Sequence, residues 1–108
     1  MTDEAFDRDY LTIEAMAIRQ FTPEHCVEAR QQLGWSHEAL SAASGVSVAA
    51  IQRFEAKEKL LDVTRLALAF RLEGEGLIFL PGMSPMRGEN VKGPSPDPRT
   101  RNDFAMIE

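Results

Sequence analysis

Cysteine is almost missing from this chain: Cys26 stands alone among 108 residues, so no intramolecular disulfide can staple the fold. That usage suits a reducing compartment. Long apolar runs are missing too. None approaches the roughly 18 residues of a membrane span, and the opening MTDEAFDRDY is acidic where an export leader is basic and then apolar. A cytoplasmic protein with no membrane partner is the expectation. Potential metal ligands are few, and His25, Cys26 and His37 do not make up the set that a zinc site requires. No Gly-rich phosphate loop and no nucleophile, base and acid set can be placed, so neither a cofactor nor an enzymatic activity is expected. Basic residues are in deficit as well, 12 Lys and Arg against 17 Asp and Glu, for a formal net charge of −5. A binder of nucleic acid usually shows the opposite balance, because phosphate neutralisation supplies much of its affinity.

The acid is unevenly placed. Residues 1–21 hold five acids and two bases, whereas residues 22–73 hold seven acids and six bases, leaving that stretch near neutral. Apolar residues make up 44%, enough for the core of one small domain.

The most informative stretch is Trp35 to Glu55, WSHEALSAASGVSVAAIQRFE. Ser36 can cap a first helix from about His37 to Ala43, with Trp35 and Leu40 at the spacing of a hydrophobic staple. Gly45 then permits the left-handed conformation that ends a helix and turns the chain. Ser47 offers a second cap, and Val46 stands to Ile51 as Trp35 stands to Leu40. Two short helices joined by a tight turn make a helix-turn-helix, its junction buried by Leu40, Val46, Ile51 and Phe54.

Leu40, Ser41, Gly45, Val46, Ile51, Phe54 and Glu55 together resemble the helix-turn-helix of the Cro/CI, or XRE, family of bacterial and phage transcription regulators. The resemblance spans about Thr22 to Leu80 and takes in Thr22-Pro23-Glu24, Ala29-Arg30, Leu33-Gly34-Trp35-Ser36 and Gly76 to Leu80. It implies a mainly α fold, a lambda-repressor-like bundle of four to five helices with a small C-terminal β-hairpin. It also implies a homodimeric regulator of double-stranded DNA, a repressor, with the second helix of the motif, about 47–55, in the major groove. Carried over, His37 would face a phosphate, and Ser47, Val48, Ala49, Gln52 and Arg53 would form or flank the reading face. Gln52 suits adenine and Arg53 suits guanine or phosphate. Val48 and Ala49 depart from the family's usual polar readers and can only meet thymine methyl groups. Lys57 and Lys59 follow in a loop where the family often has a glycine, and either meet phosphate or are simply solvated. The alternative is a degenerate motif serving as a protein-interaction module of antitoxin or anti-repressor type.

Four segments follow in order. Residues 1–21 carry Phe6, Tyr10, Ile13, Met16, Ala17 and Phe21 at helical spacing, an acidic arm that reads as a helix over about 4–19 and either packs on its own domain, is partly disordered, or engages a second copy or another protein. Residues 22–74 form the helix-turn-helix domain. Thr22 and Pro23 open its first helix, which turns Cys26, Ala29, Arg30 and Leu33 inward, and Asp62 or Thr64 caps a last helix that stops at Gly74. Residues 75–92 read as a β-hairpin pairing Gly76–Leu80 with a strand near Asn90-Val91-Lys92, its apolar edge either a dimer contact or a cap on its own core. Residues 93–108, opening GPSPDPRTRND, should be a disordered tail with the capacity to engage a protein partner.

Overall fold

The chain was described from a computed structural model, which covers residues 21–89 and 91–108. The helix expected over 4–19 lies outside the described residues. Thr22 caps α1 (Pro23–Leu33): its hydroxyl accepts from the His25 N–H, and the His25 ring accepts in return from the Thr22 N–H, a reciprocal capping box. Ser36 caps α2 (His37–Ser44) by accepting from the Ala39 N–H at 3.0 Å, and Ser47 caps α3 (Val48–Glu55) by accepting from the Ala50 N–H at 3.1 Å. Between α2 and α3 the chain turns at Gly45, whose φ of 81° is left-handed. The helix-turn-helix expected from the caps is therefore present.

The last helix, α4 (Asp62–Glu73), departs from expectation at its start. Neither Asp62 nor Thr64 caps it; Leu61 holds the cap position without a side-chain bond, and Thr64 is buried inside the first turn. Its core face is broader than a single stripe, because Val63, Leu66, Ala67, Leu68, Ala69 and Leu72 are all buried. The reason is packing on several sides: α4 lies against α2, the first hairpin strand and both turns of the C-terminal segment.

The hairpin is smaller than its sequence suggests. β1 (Leu77–Ile78) pairs antiparallel with β2 (Met86–Arg87), Leu77 opposite Arg87 and Ile78 opposite Met86. The mate expected near Asn90-Val91-Lys92 is thus corrected to Met86–Arg87, a shift that two contacts enforce. The His25 ring, on α1, lies 3.1 Å from the Leu80 carbonyl and 2.8 Å from that of Met83, fixing the turn early. Gly76 and Gly88 then close the far end, where the Gly88 N–H bonds the Gly76 carbonyl at 2.9 Å and a Cβ on Gly76 would fall 2.6 Å from the Gly88 oxygen. Leu77 and Phe79 are buried in the chain's own core, which removes them as a dimer edge and leaves the capping role. Phe21, assigned by pattern to the arm, belongs to that core and meets Phe54 and Phe79 at ring-centre distances of 5.5 and 4.9 Å.

Residues 93–108 are folded, contrary to the expected disorder. Composition misleads here because polar anchors hold the segment where apolar mass is scarce. The buried Ser95 gives both its N–H and its hydroxyl to the Glu73 carboxylate, at 3.0 and 2.6 Å. Short 3-10 turns follow at Pro98–Thr100 and Phe104–Met106, and Ile107 packs on the core. Glu108 lies against the start of α3.

Candidate nucleic-acid interface

The two helices of the motif are locked together by one carboxylate. Glu55, in the last turn of α3, accepts a bidentate pair from Arg30 on α1 at 2.7 and 2.8 Å, and a third bond from His37 Nε2 at 3.0 Å. Its side chain is only 10% exposed. Burial pushes its pKa up, but the bonds from Arg30, His37 and Cys26 outweigh that and hold it below the ordinary value. Burial, and after it the same carboxylate, push the Cys26 thiol far up, leaving an inert small apolar residue. His37 is thereby placed differently from expectation: its ring nitrogen is turned onto Glu55 and not held free for a phosphate.

On the outer face of α3, Ala49 and Gln52 are exposed, Ser47 is exposed at the cap, and Val48 and Arg53 are half-buried. Ala50, Ile51 and Phe54 point the other way into the core. One helix face therefore brings together the five residues picked from the sequence. Lys57 and Lys59 lie beyond it in an exposed loop. Lys57 adopts φ 71°, the left-handed conformation for which glycine is usual, and its amine lies 3.3 Å from Glu24. Lys59 borders a groove of about 540 Å³ shared with Leu61, Arg101, Asp103, Met106 and Glu108.

Sequence reasoning missed Glu108. Its carboxylate accepts from Arg53 at 2.9 Å and from the Leu61 N–H, at the start of α4, also at 2.9 Å. Its main chain joins in: the Ser47 N–H donates to its carbonyl at 3.2 Å, and its own N–H donates to the Thr64 hydroxyl at 3.1 Å. One residue thus bridges the beginnings of α3 and α4. No local pattern marks it, since its partners lie 44 to 55 positions away in side-chain bonding.

Residues 28–72 match the family model HTH_3, helix-turn-helix. The matched stretch, 45 of the 108 residues, is similar to the DNA-binding helix-turn-helix domains of the Cro/CI type. The match runs from within α1 to near the end of α4, so the hairpin and the C-terminal segment are additions to the helix-turn-helix domain. Neither a curated protein nor a solved structure matches the chain. Among the described residues, no helix is long and apolar enough to cross a membrane.

Proposed function

We propose that the chain is a sequence-specific transcriptional regulator, a repressor, that binds a two-fold symmetric DNA site as a homodimer. The observation that carries this reading is the exposed face of α3, where Ala49 and Gln52 stand clear of the core beside Ser47, Val48 and Arg53. In a helix-turn-helix that face enters the major groove, its first residues nearest the base edges. Gln52 reads adenine through paired donor and acceptor, Arg53 takes guanine or a phosphate, and Val48 and Ala49 meet thymine methyls. Lys57 and Lys59 flank the groove as phosphate contacts, while His37, held by Glu55, orients α2 and does not meet DNA. The half-sites of such a dimer lie about 34 Å apart, one helical turn.

The test is selection from a random duplex library at low and at physiological salt with the full chain. Recovery of a palindrome carrying A·T pairs, with affinity falling as salt rises, supports the reading. Arg53→Ala combined with Gln52→Ala should then abolish selectivity while leaving the melting temperature nearly unchanged. No enrichment at either salt overturns it. The net charge of −5 favours a second reading, a protein-interaction module working through the arm or the C-terminal segment, whose binding would respond weakly to salt.

A further inference from the structure

We infer that residues 101–108 are an intramolecular competitor of DNA, with the Glu108 carboxylate seated in an oxyanion subsite where a backbone phosphate would otherwise bind. The inference rests on the DNA-binding reading above.

The subsite is formed by one guanidinium and one main-chain N–H. Arg53 Nη2 and the Leu61 N–H each lie 2.9 Å from a different oxygen of the same carboxylate. A guanidinium beside an amide at a helix start is the donor set that holds a phosphate oxygen pair. Arg53 belongs to the outer face of α3, and Leu61, at the cap of α4, meets it through the shared carboxylate. The Ser47 N–H, at the start of the recognition helix, is taken by the Glu108 carbonyl. The same donors cannot serve a phosphate while the carboxylate holds them, and carboxylate and phosphate repel each other at this distance.

The charge arrangement of the segment singles out this residue. Asp97 is paired with Arg99, and Asp103 with Arg101, within the segment itself. Among the described residues, Glu108 is the acid of this segment that pairs with a cation of the helix-turn-helix domain, Arg53 on α3. The seat is also light enough to leave: the Arg53 and Glu108 side chains are 42% and 28% exposed, against 14% and 10% for the Arg30 and Glu55 pair behind them. DNA binding therefore proceeds by displacement of the segment, and whatever draws the segment away raises affinity.

Three full-length variants test this by fluorescence anisotropy on a fluorescein-labelled random-sequence duplex at low salt, and on any palindrome recovered from the library. Glu108→Gln removes the charge that holds Arg53. Thr64→Val removes the hydroxyl that accepts from the Glu108 N–H, with no change in charge and no alteration of the reading face. Asp103→Asn is the control, since it makes the same charge change as Glu108→Gln but leaves Arg53 engaged. Glu108→Gln and Thr64→Val should each bind about five- to tenfold more tightly than the parent, and Asp103→Asn no more than about twofold. Hydrogen exchange at the Glu108 amide should quicken when saturating duplex is added. Equal affinity in all four proteins overturns the inference and leaves the DNA reading intact. Weaker binding by Glu108→Gln and Thr64→Val also overturns it, by making the segment part of the DNA contact. If no protein binds any duplex, the DNA reading fails and the inference falls with it.

Discussion

Replacing Glu55 by Gln would separate the role of this carboxylate as a lock from any role in binding. Glu55 accepts three charged or ring N–H bonds while 10% exposed, and its chief partner Arg30 is 14% exposed. Glutamine keeps one oxygen and adds an NH2 that must face a donor, so either Arg30 or His37 loses its acceptor. Leaving a largely buried guanidinium short of an acceptor costs about 2–3 kcal/mol, less than the loss of a fully buried pair because some solvent reaches the site. For a domain of this size that corresponds to about 10–20 °C in melting temperature. The pH dependence follows from the sign of the shift. Because the folded-state pKa is depressed, the stabilisation is fully present above the ordinary carboxylate pKa and is lost as pH falls through the folded value. The parent and Glu55→Gln melting curves, followed by circular dichroism, should therefore be far apart at neutral pH and converge in acid. A difference below about 2 °C at neutral pH, or one that stays constant down to the most acid condition where both proteins fold, would refute the lock.

Glu73→Gln should behave in the opposite way. Burial raises the Glu73 pKa against the lowering bonds from Ser95, so its contribution is present in acid and lost as pH rises through the folded value; at neutral pH the variant should equal or exceed the parent by up to about 1 kcal/mol in denaturant titration. Lys57→Gly removes a left-handed lysine, and after glycine's own entropic penalty it should raise the melting temperature by about 2–5 °C, since the exposed contact with Glu24 adds little. Leu77→Asp puts an unpaired charge at a fully buried strand position and should unfold the protein, a loss of at least about 4 kcal/mol; a folded monomer from an otherwise dimeric parent would instead restore this strand as a dimer edge.

What could be read in the sequence is what local chemistry specifies. Thr22-Pro23, Ser36 and Ser47 announce helix starts because a hydroxyl three residues ahead of a free N–H is a local device, and all three accept the bonds expected of them. The burial of Leu40, Val46, Ile51 and Phe54 follows from the same spacing. The exposed face of α3 was legible for the same reason: once Ile51 and Phe54 face inward, Ala49 and Gln52 must face out. The errors lie where a distant group decides. The hairpin mate was misplaced because His25 on α1 fixes the carbonyls of Leu80 and Met83, a contact across 55 and 58 positions. His25 itself was missed as a capping-box residue because Glu or Gln is the usual partner at that position. The order of residues 93–108 was invisible because it depends on a few long-range polar bonds to Glu73, Arg53 and Thr64, and a Pro-rich stretch with few apolar residues gives no periodic sign of them.

Two carboxylates thus act on the same helix to opposite ends. Glu55 ties the inner side of α3 to α1 and α2 through charged bonds shielded from water, whereas Glu108 ties its outer side to a segment with little apolar mass, in partial contact with solvent. Free energy of opening should differ accordingly across a distance of a few residues. The Ile51 N–H, bonded to the Ser47 carbonyl inside the first turn of α3, can exchange only when the helix-turn-helix itself opens. The Leu61 and Glu108 amides, bonded to the Glu108 carboxylate and the Thr64 hydroxyl, are released when residues 101–108 swing away while the helices persist. Native-state hydrogen exchange without DNA should give Ile51 protection near the global unfolding free energy, and the other two amides clearly less. In the Glu108→Gln protein the gap should widen, because only the weaker attachment has been loosened. If all three amides exchange through one common opening in both proteins, the segment unfolds only with the domain, and a reading face that is uncovered while the fold stays intact does not exist.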